Sequence, residues 1–549
     1  MKIARILASA MLAVSIPALA CTGLIAGPGA TADGSVMITY AADSHTLYGE
    51  LYHKPGGTHL PGTMREVVDW DTGKRLGEIP EATVTYTRIG NMNEHGVAIT
   101  ESTWGGRHEL AGSGMIDYGS LIYIALERAR TAPEAIKVMT QLVKDYGYAS
   151  EGESFTIADP TQVWIMELIG KGKEDKGAVW VARRVPDDCI SGHANHSRIH
   201  QFPLNDKSGS TLYSPDVISF ARKQGYFTGK DKDFSFSRAY ATYDGGALRG
   251  CDGRVWAYYN KHNSAMAPYL DWVLKGEGEP LPLWIKPDKK LTVADMKAMM
   301  RDHFEGTPMD MTLDVGAGPY KVPYRWRPLT YDVDSVTYTH ERAIATQQTG
   351  FSLVAQLRAD APAQMRGVLW FGVDDADAGV YIPMYCCLDK APHEFATGNG
   401  DLLTLSWDAA FWVTNFVANQ CYNRYSQMMP DIRAVQRPME EQLEKEVAML
   451  YEEVPGLDPE VATRLLRDHS ADWSRRYTER YRQLGEYLLV KYLDGNVKKE
   501  RDGKFARTET GMPEYPEFPG YDKRYYRSIA EDPDGGDRLK LLVLPEEKK

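Results

Sequence analysis

Cys21-Thr22-Gly23-Leu24-Ile25-Ala26-Gly27, followed after Asp33-Gly34-Ser35 by Val36-Met37-Ile38-Thr39-Tyr40, is the stretch on which the fold turns. Two β-rich runs flank an Asp-Gly turn, which predicts an antiparallel hairpin with Cys21 at its edge. A second hairpin is expected from 83–92 and 97–103 around Asn93-Glu94-His95-Gly96. A third pairs 155–158 with 163–167 across Asp159-Pro160-Thr161-Gln162. Between them, 118–130 and 132–146 carry helical periodicity. Thr131 with Glu134 fits a capping box, Pro133 sits in the first turn, and Gly147 ends the second helix. Hairpins interrupted by a helical pair point to an α+β fold rather than a doubly wound parallel sheet. Further strands are expected at 178–184, 336–339, 352–357 and 367–373, with a loop-rich centre over 200–330. From Trp407 the chain reads as helical, with charge-dense stretches at 440–452, 459–468 and 470–492 that read as a solvated cover.

Upstream of Cys21 the chain looks like an address. Lys2 and Arg5 precede an apolar run over 6–16, and Pro17-Ala18-Leu19-Ala20 ends in the small-x-small pattern of signal peptidase. That run is too short to span a bilayer, and no later stretch reaches the roughly 20 residues a span needs. Residues 1–20 are therefore expected as a signal peptide, 21–425 as one large domain and 426–549 as a charged helical extension, with the mature protein periplasmic or extracellular. The cut leaves Cys21 first. It is either a nucleophile whose own α-amine serves as base or an acylated lipoprotein anchor; Ala18, where a lipoprotein signal places Leu, favours the nucleophile.

Composition narrows the partners. With 43% apolar residues and 11% aromatic, the chain has the material for a large core. Lys and Arg number 63 against 75 Asp and Glu, without a concentrated basic block, which argues against nucleic acid and for a small or peptide-like substrate. Oligomeric state is not readable. Six cysteines without CxxC spacing do not suggest structural zinc or thioredoxin-type chemistry. If Cys21 is a free thiol, the remaining five cannot all pair within one chain, and vicinal Cys386-Cys387 reads as buried small apolar residues.

Cys21-Thr22, Asp33-Gly34-Ser35 and Ala42-Asp43-Ser44 resemble the bacterial cysteine dipeptidases of the N-terminal-nucleophile superfamily, to which the secernins are related. Gly57-Thr58-His59-Leu60-Pro61-Gly62, Asn93-Glu94-His95-Gly96-Val97, Gly192 to Ile199, Tyr381 to Tyr385 and Ala410-Phe411-Trp412 follow in the family's order. The resemblance implies an αββα sandwich of two antiparallel sheets covered by helices, no cofactor, and hydrolysis of short peptides through a thioester on Cys21. Choloylglycine hydrolases and penicillin V acylases share fold and nucleophile, so an acylase or amidase is the alternative within this chemistry. A lipid-anchored binding protein is the alternative outside it. Asp43 is expected to orient the Cys21 amine, and Asn195 to donate to the developing oxyanion. Arg238 is expected to hold the thiolate's surroundings positive. The acylases' Arg three residues before the Asp is Tyr40 here, and their oxyanion Asn after the second hairpin is Thr103. Tyr40, Thr103 and Glu101 are the substrate-binding candidates, Glu101 as partner for a substrate's free α-ammonium.

Two other signals point elsewhere. His193, His196 and His200 hint at zinc, but HxxHxxxH lacks the Glu of HExxH. Asp374-Asp375-Ala376-Asp377 resembles half a calcium loop without its Gly and distal Glu in register, and reads as a solvated acidic turn.

Overall fold

Strand pairing begins where the apolar run after Cys21 meets its partner. Gly23–Ala26 lies antiparallel to Val36–Asp43 with Ile25 opposite Ile38, and the same register sets Thr22 opposite Ala41. Every residue of both strands is buried, so neither shows the alternation of a half-exposed strand. The computed structural model describes residues 21–541; the expected signal segment 1–20 lies outside the described residues.

Two antiparallel sheets form the body. The first has seven strands in the order Trp284–Ile285, Ile190–His193, Gly23–Ala26, Val36–Asp43, Thr349–Leu357, Gly367–Val373, Ile382–Tyr385. The second has eight, centred on Ala98–Gly105, Gly152–Asp159, Gln162–Gly170 and Ala178–Arg184. Val36–Asp43 contacts Ala98–Gly105 and Gly152–Asp159, so the two sheets meet at the strand that follows Cys21. Helices Tyr118–Arg128 and Ala132–Tyr146 pack on the second sheet over a core that includes Ile124, Met139, Phe155 and Trp164. Gly253–His262, Val293–Met299 and the long helices Ala410–Asn423, Tyr425–Glu453 and Pro459–Lys491 pack on strands of the first. The class is α+β.

The three hairpins occur at the expected turns, with local differences. Thr131 caps the Glu134 N–H at 3.3 Å, but the Glu134 carboxylate reaches the Arg130 N–H rather than closing the box on Thr131. The expected strand over 83–92 is broken into Val84–Thr85, Arg88–Ile89 and Met92–Asn93, with Gly90 turning the chain at φ 54°. Val336–Thr339 pairs only with Thr330–Val333, in an exposed hairpin outside both sheets. The expected helices over 459–468 and 470–492 are one helix, because the Ser470 hydroxyl turns inward and donates to the Pro383 carbonyl at 2.7 Å. Tyr477, Tyr481, Leu484 and Leu488 are buried in the main core, so this charged tail is solvated on one side only. Among the described residues no helix is long and apolar enough to cross a membrane. All six cysteines are free, Cys386 buried and Cys387 half-buried.

Candidate active site

The hairpin register determines what surrounds Cys21. With Thr22 opposite Ala41, Cys21 falls beside Ala42 at the end of the sheet, so period-two alternation puts its side chain on the face that carries Tyr40. Cys21 Sγ lies 3.7 Å from the Tyr40 hydroxyl, and the Asp43 backbone N–H also hydrogen-bonds the sulfur. The close approach of strands here needs glycine: a Cβ on Gly23 would sit 2.8 Å from the His193 ring. That ring cannot yield, because Ser102 holds its Nδ1 at 2.6 Å and Thr156 its Nε2 at 2.7 Å.

Behind the thiol the polar groups interlock. Asp43 accepts from Thr349 Oγ1 at 2.6 Å and is ion-paired with Arg342. Arg254, fully buried in the Gly253–His262 helix, donates to the Cys21 carbonyl (2.7 Å), the Thr22 hydroxyl (2.7 Å) and Asn195 Oδ1 (2.9 Å). Burial, then repulsion from Arg342, brings the Arg254 guanidinium down to about 10, so it stays charged at neutral pH. Asn195, held at φ 56°, donates from Nδ2 to the Thr103 carbonyl at 2.6 Å. One arginine thus ties Cys21 to Asn195, and Asn195 ties both to the second sheet.

In front of the thiol lies a cavity of about 350 Å³. Cys21, Tyr40, Glu101, Asp71, Trp70 and Tyr123 are among its walls. The Tyr40 hydroxyl donates to Glu101 Oε1. Glu101 and Glu153 lie on adjacent strands: Thr103 stands opposite Glu153, which makes Glu101 its diagonal neighbour on the same face. Both are buried, and among the described residues Glu101 Oε2 and Glu153 Oε1 have no hydrogen-bond partner, so two acids stand on one face without a countercharge. Burial first, and then the Glu101 charge, push Glu153 far above the carboxylate range. Burial also raises Glu101, against hydrogen bonds from Glu153, Tyr40 and Cys21 that lower it. For the thiol the result is unfavourable: burial, then the charges of Glu101 and Asp43, raise Cys21 well above its ordinary value.

The structure therefore brings together Cys21, Tyr40, Asp43, Glu101, Thr103 and Asn195. Thr103 takes part through its carbonyl to Asn195 and its hydroxyl to Glu153 (3.0 Å). Arg238 is not among them. It is exposed, lies over the Tyr243 ring at 4.2 Å, and lines a separate surface cleft with Arg183 and His200. The arginines beside the site are Arg254 and Arg342, and neither carries a local motif: Arg254 lies in the stretch read as loop-rich, Arg342 just before the strand over 349–357. Glu153 was not singled out from the sequence; the signal that could have found it is an acid at the start of an apolar strand, Gly152–Asp159. The three histidines diverge: His193 is neutral, its pKa down to about 3 by burial; His196 pairs with Asp252 at 2.8 Å; His200 contacts Ser235. The acidic run 374–377 is buried rather than solvated, because tyrosines and an arginine cover it.

The geometry is thus a buried thiol at the end of a strand, set in the wall of a cavity of about 350 Å³ with fixed donors behind it. A match to peptidase family C69 covers residues 57–438, well over half the chain, so the protein belongs to that family of cysteine-type, N-terminal-nucleophile dipeptidases and hydrolyses peptide bonds. It is 27% identical to a probable dipeptidase of Salmonella dublin over 67% of this chain and 81% of that one. It is 24% identical to a probable dipeptidase A of Streptococcus pyogenes over 79% and 89%, and 22% identical to a dipeptidase of Bifidobacterium longum over 81% and 84%.

Proposed function

We propose that the protein is an exported dipeptidase whose nucleophile is the Cys21 thiol, freed as the N-terminal residue by removal of residues 1–20, on the two-sheet sandwich of N-terminal-nucleophile hydrolases. The observation that carries this reading is Cys21 Sγ set in the wall of the 350 Å³ cavity, between Tyr40 and the Asp43 N–H. That volume is at the small end of the roughly 300–1,000 Å³ of ligand sites, suited to a dipeptide rather than a protein.

While residue 20 precedes it, the Cys21 nitrogen is an amide with no basic lone pair, and the thiol stands in a negative field. Cleavage changes both at once. The new α-amine takes the thiol proton, and the resulting ammonium offsets Glu101 and Asp43. The thiolate then adds to the carbonyl carbon of the substrate's first residue, with Asn195, fixed in direction by Arg254 and Thr103, assigned to the oxyanion. The C–N bond breaks as the ammonium protonates the leaving amine. Water adds to the thioester with the amine as base, the C–S bond breaks, and the thiol recovers its proton. Glu101 receives the substrate's α-ammonium, which sits one carbon from the attacked carbonyl. A cavity in which Glu101 and Asp71 have no ion-pair partner among the described residues suits such a cation better than the acyl groups of penicillins or bile salts.

N-terminal sequencing of the exported protein tests the first step, and a start at any residue other than Cys21 removes the mechanism. Cys21→Ala should then lower dipeptide turnover by at least about 10³-fold; retained turnover refutes the assignment.

A further inference from the structure

One element of the cavity belongs to neither sheet. Met64–Val68 and Arg75–Pro80 form a separate two-stranded hairpin, and its turn, Asp69-Trp70-Asp71-Thr72-Gly73-Lys74, closes one side of the cavity. The turn is internally braced. Asp69 Oδ1 accepts from the Thr72 N–H at 2.9 Å and the Thr72 hydroxyl at 2.5 Å, and Gly73, at φ 66°, donates to the Asp69 carbonyl at 2.8 Å. It is also docked. The Trp70 N–H donates to Asp117 Oδ2 at 2.8 Å, its indole meets Tyr52 and Tyr123 at 4.9 and 4.8 Å, and a Cβ on Gly119 would come within 2.6 Å of it. A turn this well held places its side chains with purpose, and Asp69 is spent on bracing the loop. Asp71 is not.

Asp71 accepts a 2.8 Å hydrogen bond from the Tyr118 hydroxyl and has no ion-pair partner among the described residues. Partial burial, then Asp69, Glu101 and Asp117, push it up to about 6 despite that bond, so at neutral pH it is an ionised group in a field of like charge. Asp71 lines the same cavity as Cys21 and Glu101 but stands on the hairpin turn, outside both sheets, whereas Glu101 stands on a strand of the second sheet. The rings of Tyr52, Trp70 and Tyr123 line the cavity with them, surfaces against which methylenes pack and whose faces attract cations. Glu101 supplies a second observation, a buried carboxylate on the same cavity whose Oε2 has no hydrogen-bond partner among the described residues.

We propose that Asp71 makes the site selective for dipeptides whose N-terminal residue carries a long cationic side chain, lysine or arginine. This rests on the dipeptidase reading, with Glu101 taking the α-ammonium and Asp71 the side-chain charge.

Lysyl-alanine and norleucyl-alanine have first residues of nearly equal shape and differ in the terminal charge. With the processed full-length protein, kcat/KM for lysyl-alanine should exceed that for norleucyl-alanine by about tenfold or more, the scale of a hydrogen bond to a charged group. Asp71→Asn should bring that ratio close to one. Equal rates in the wild type, or a preference that survives in Asp71→Asn, overturn the proposal. Should Asp71→Asn turn over neither substrate, Asp71→Glu is read in its place, with a retained lysyl preference in support and its loss against. If the wild type cleaves neither dipeptide, the dipeptidase reading has failed and this one falls with it.

Discussion

The buried carboxylates of Asp377 and Glu440 are met by cations; among the described residues those of buried Glu101 and Glu153, and that of Asp71 on the same cavity as Glu101, have no ion-pair partner. In the first group Arg433 pairs with Asp377 and Arg301 binds Glu440 through two nitrogens at 2.7 and 2.9 Å, while Tyr422 and Tyr425 donate to Asp375 and Asp377 at 2.7 and 2.8 Å. Burial works to raise Glu440, but the charges of Arg301 and Lys297 win and hold it below the usual carboxylate range. In the second group the relief comes from neutral donors: the Tyr40 hydroxyl for Glu101, the Tyr118 hydroxyl for Asp71 and the Thr103 hydroxyl for Glu153. Glu101 and Glu153 are as deeply buried as Asp375, Asp377 and Glu440, while Asp71 is exposed. What differs is whether the fold supplies the countercharge, and a cavity that withholds it is stable enough to exist yet tuned to bind a cation.

That contrast can be broken at either end. Arg433→Met leaves Asp377 buried and unpaired and should cost about 3–5 kcal/mol in a denaturant titration. Dipeptide kcat/KM per folded molecule should hardly move. A stability change below about 1 kcal/mol would show that the countercharge is not what holds this cluster. Glu101→Gln should do the reverse, lowering kcat/KM on a free dipeptide by roughly 10- to 100-fold. It should also shrink the preference over the N-acetylated substrate, and equal discrimination in wild type and variant would sink the α-ammonium role.

Acidification sharpens the comparison because the two groups respond with opposite sign. Glu153 has a folded pKa above its unfolded value near 4.3, so its contribution is present below that value and is lost as pH rises through the folded pKa. Glu153→Gln should therefore gain on the wild type as pH rises above about 4.3. Glu440 is depressed, so its contribution is present above about 4.3 and disappears as pH falls through its folded pKa. Glu440→Gln should be least stable relative to wild type at neutral pH, with the deficit narrowing in acid. Parallel trends in thermal melts would deny the distinction. The smallest effect belongs to Arg238→Ala, an exposed arginine remote from Cys21, which should change kcat/KM by less than about twofold.

Part of the site was legible, the hairpins from local pattern and the residues from the family resemblance. Cys21, Tyr40 and Asp43 sit on one hairpin, whose Asp-Gly turn and apolar runs announce it, and Glu101 and Thr103 sit on the second. Arg254 and Arg342 were not legible, since each reaches the nucleophile from far along the chain and nothing in its neighbours marks it. Arg238 was misleading for the same reason reversed: a motif-like Phe-Ser-Arg with its guanidinium on a tyrosine at the surface. Asp71 was not singled out from the sequence, and the docking of Trp70 beneath Gly119 is what gives it a cavity to line.

Short-range chemistry, then, was the sequence's province: antiparallel hairpins and helix caps depend on residues within a few positions of one another, and those determined an α+β chain with its thiol at a strand edge. Which charges would be answered and which left alone depended on contacts between residues hundreds of positions apart, such as Arg342 with Asp43 or Arg301 with Glu440. Electrostatic energy in a buried site is set by distance and burial, and both exist only once the sheets have closed on one another.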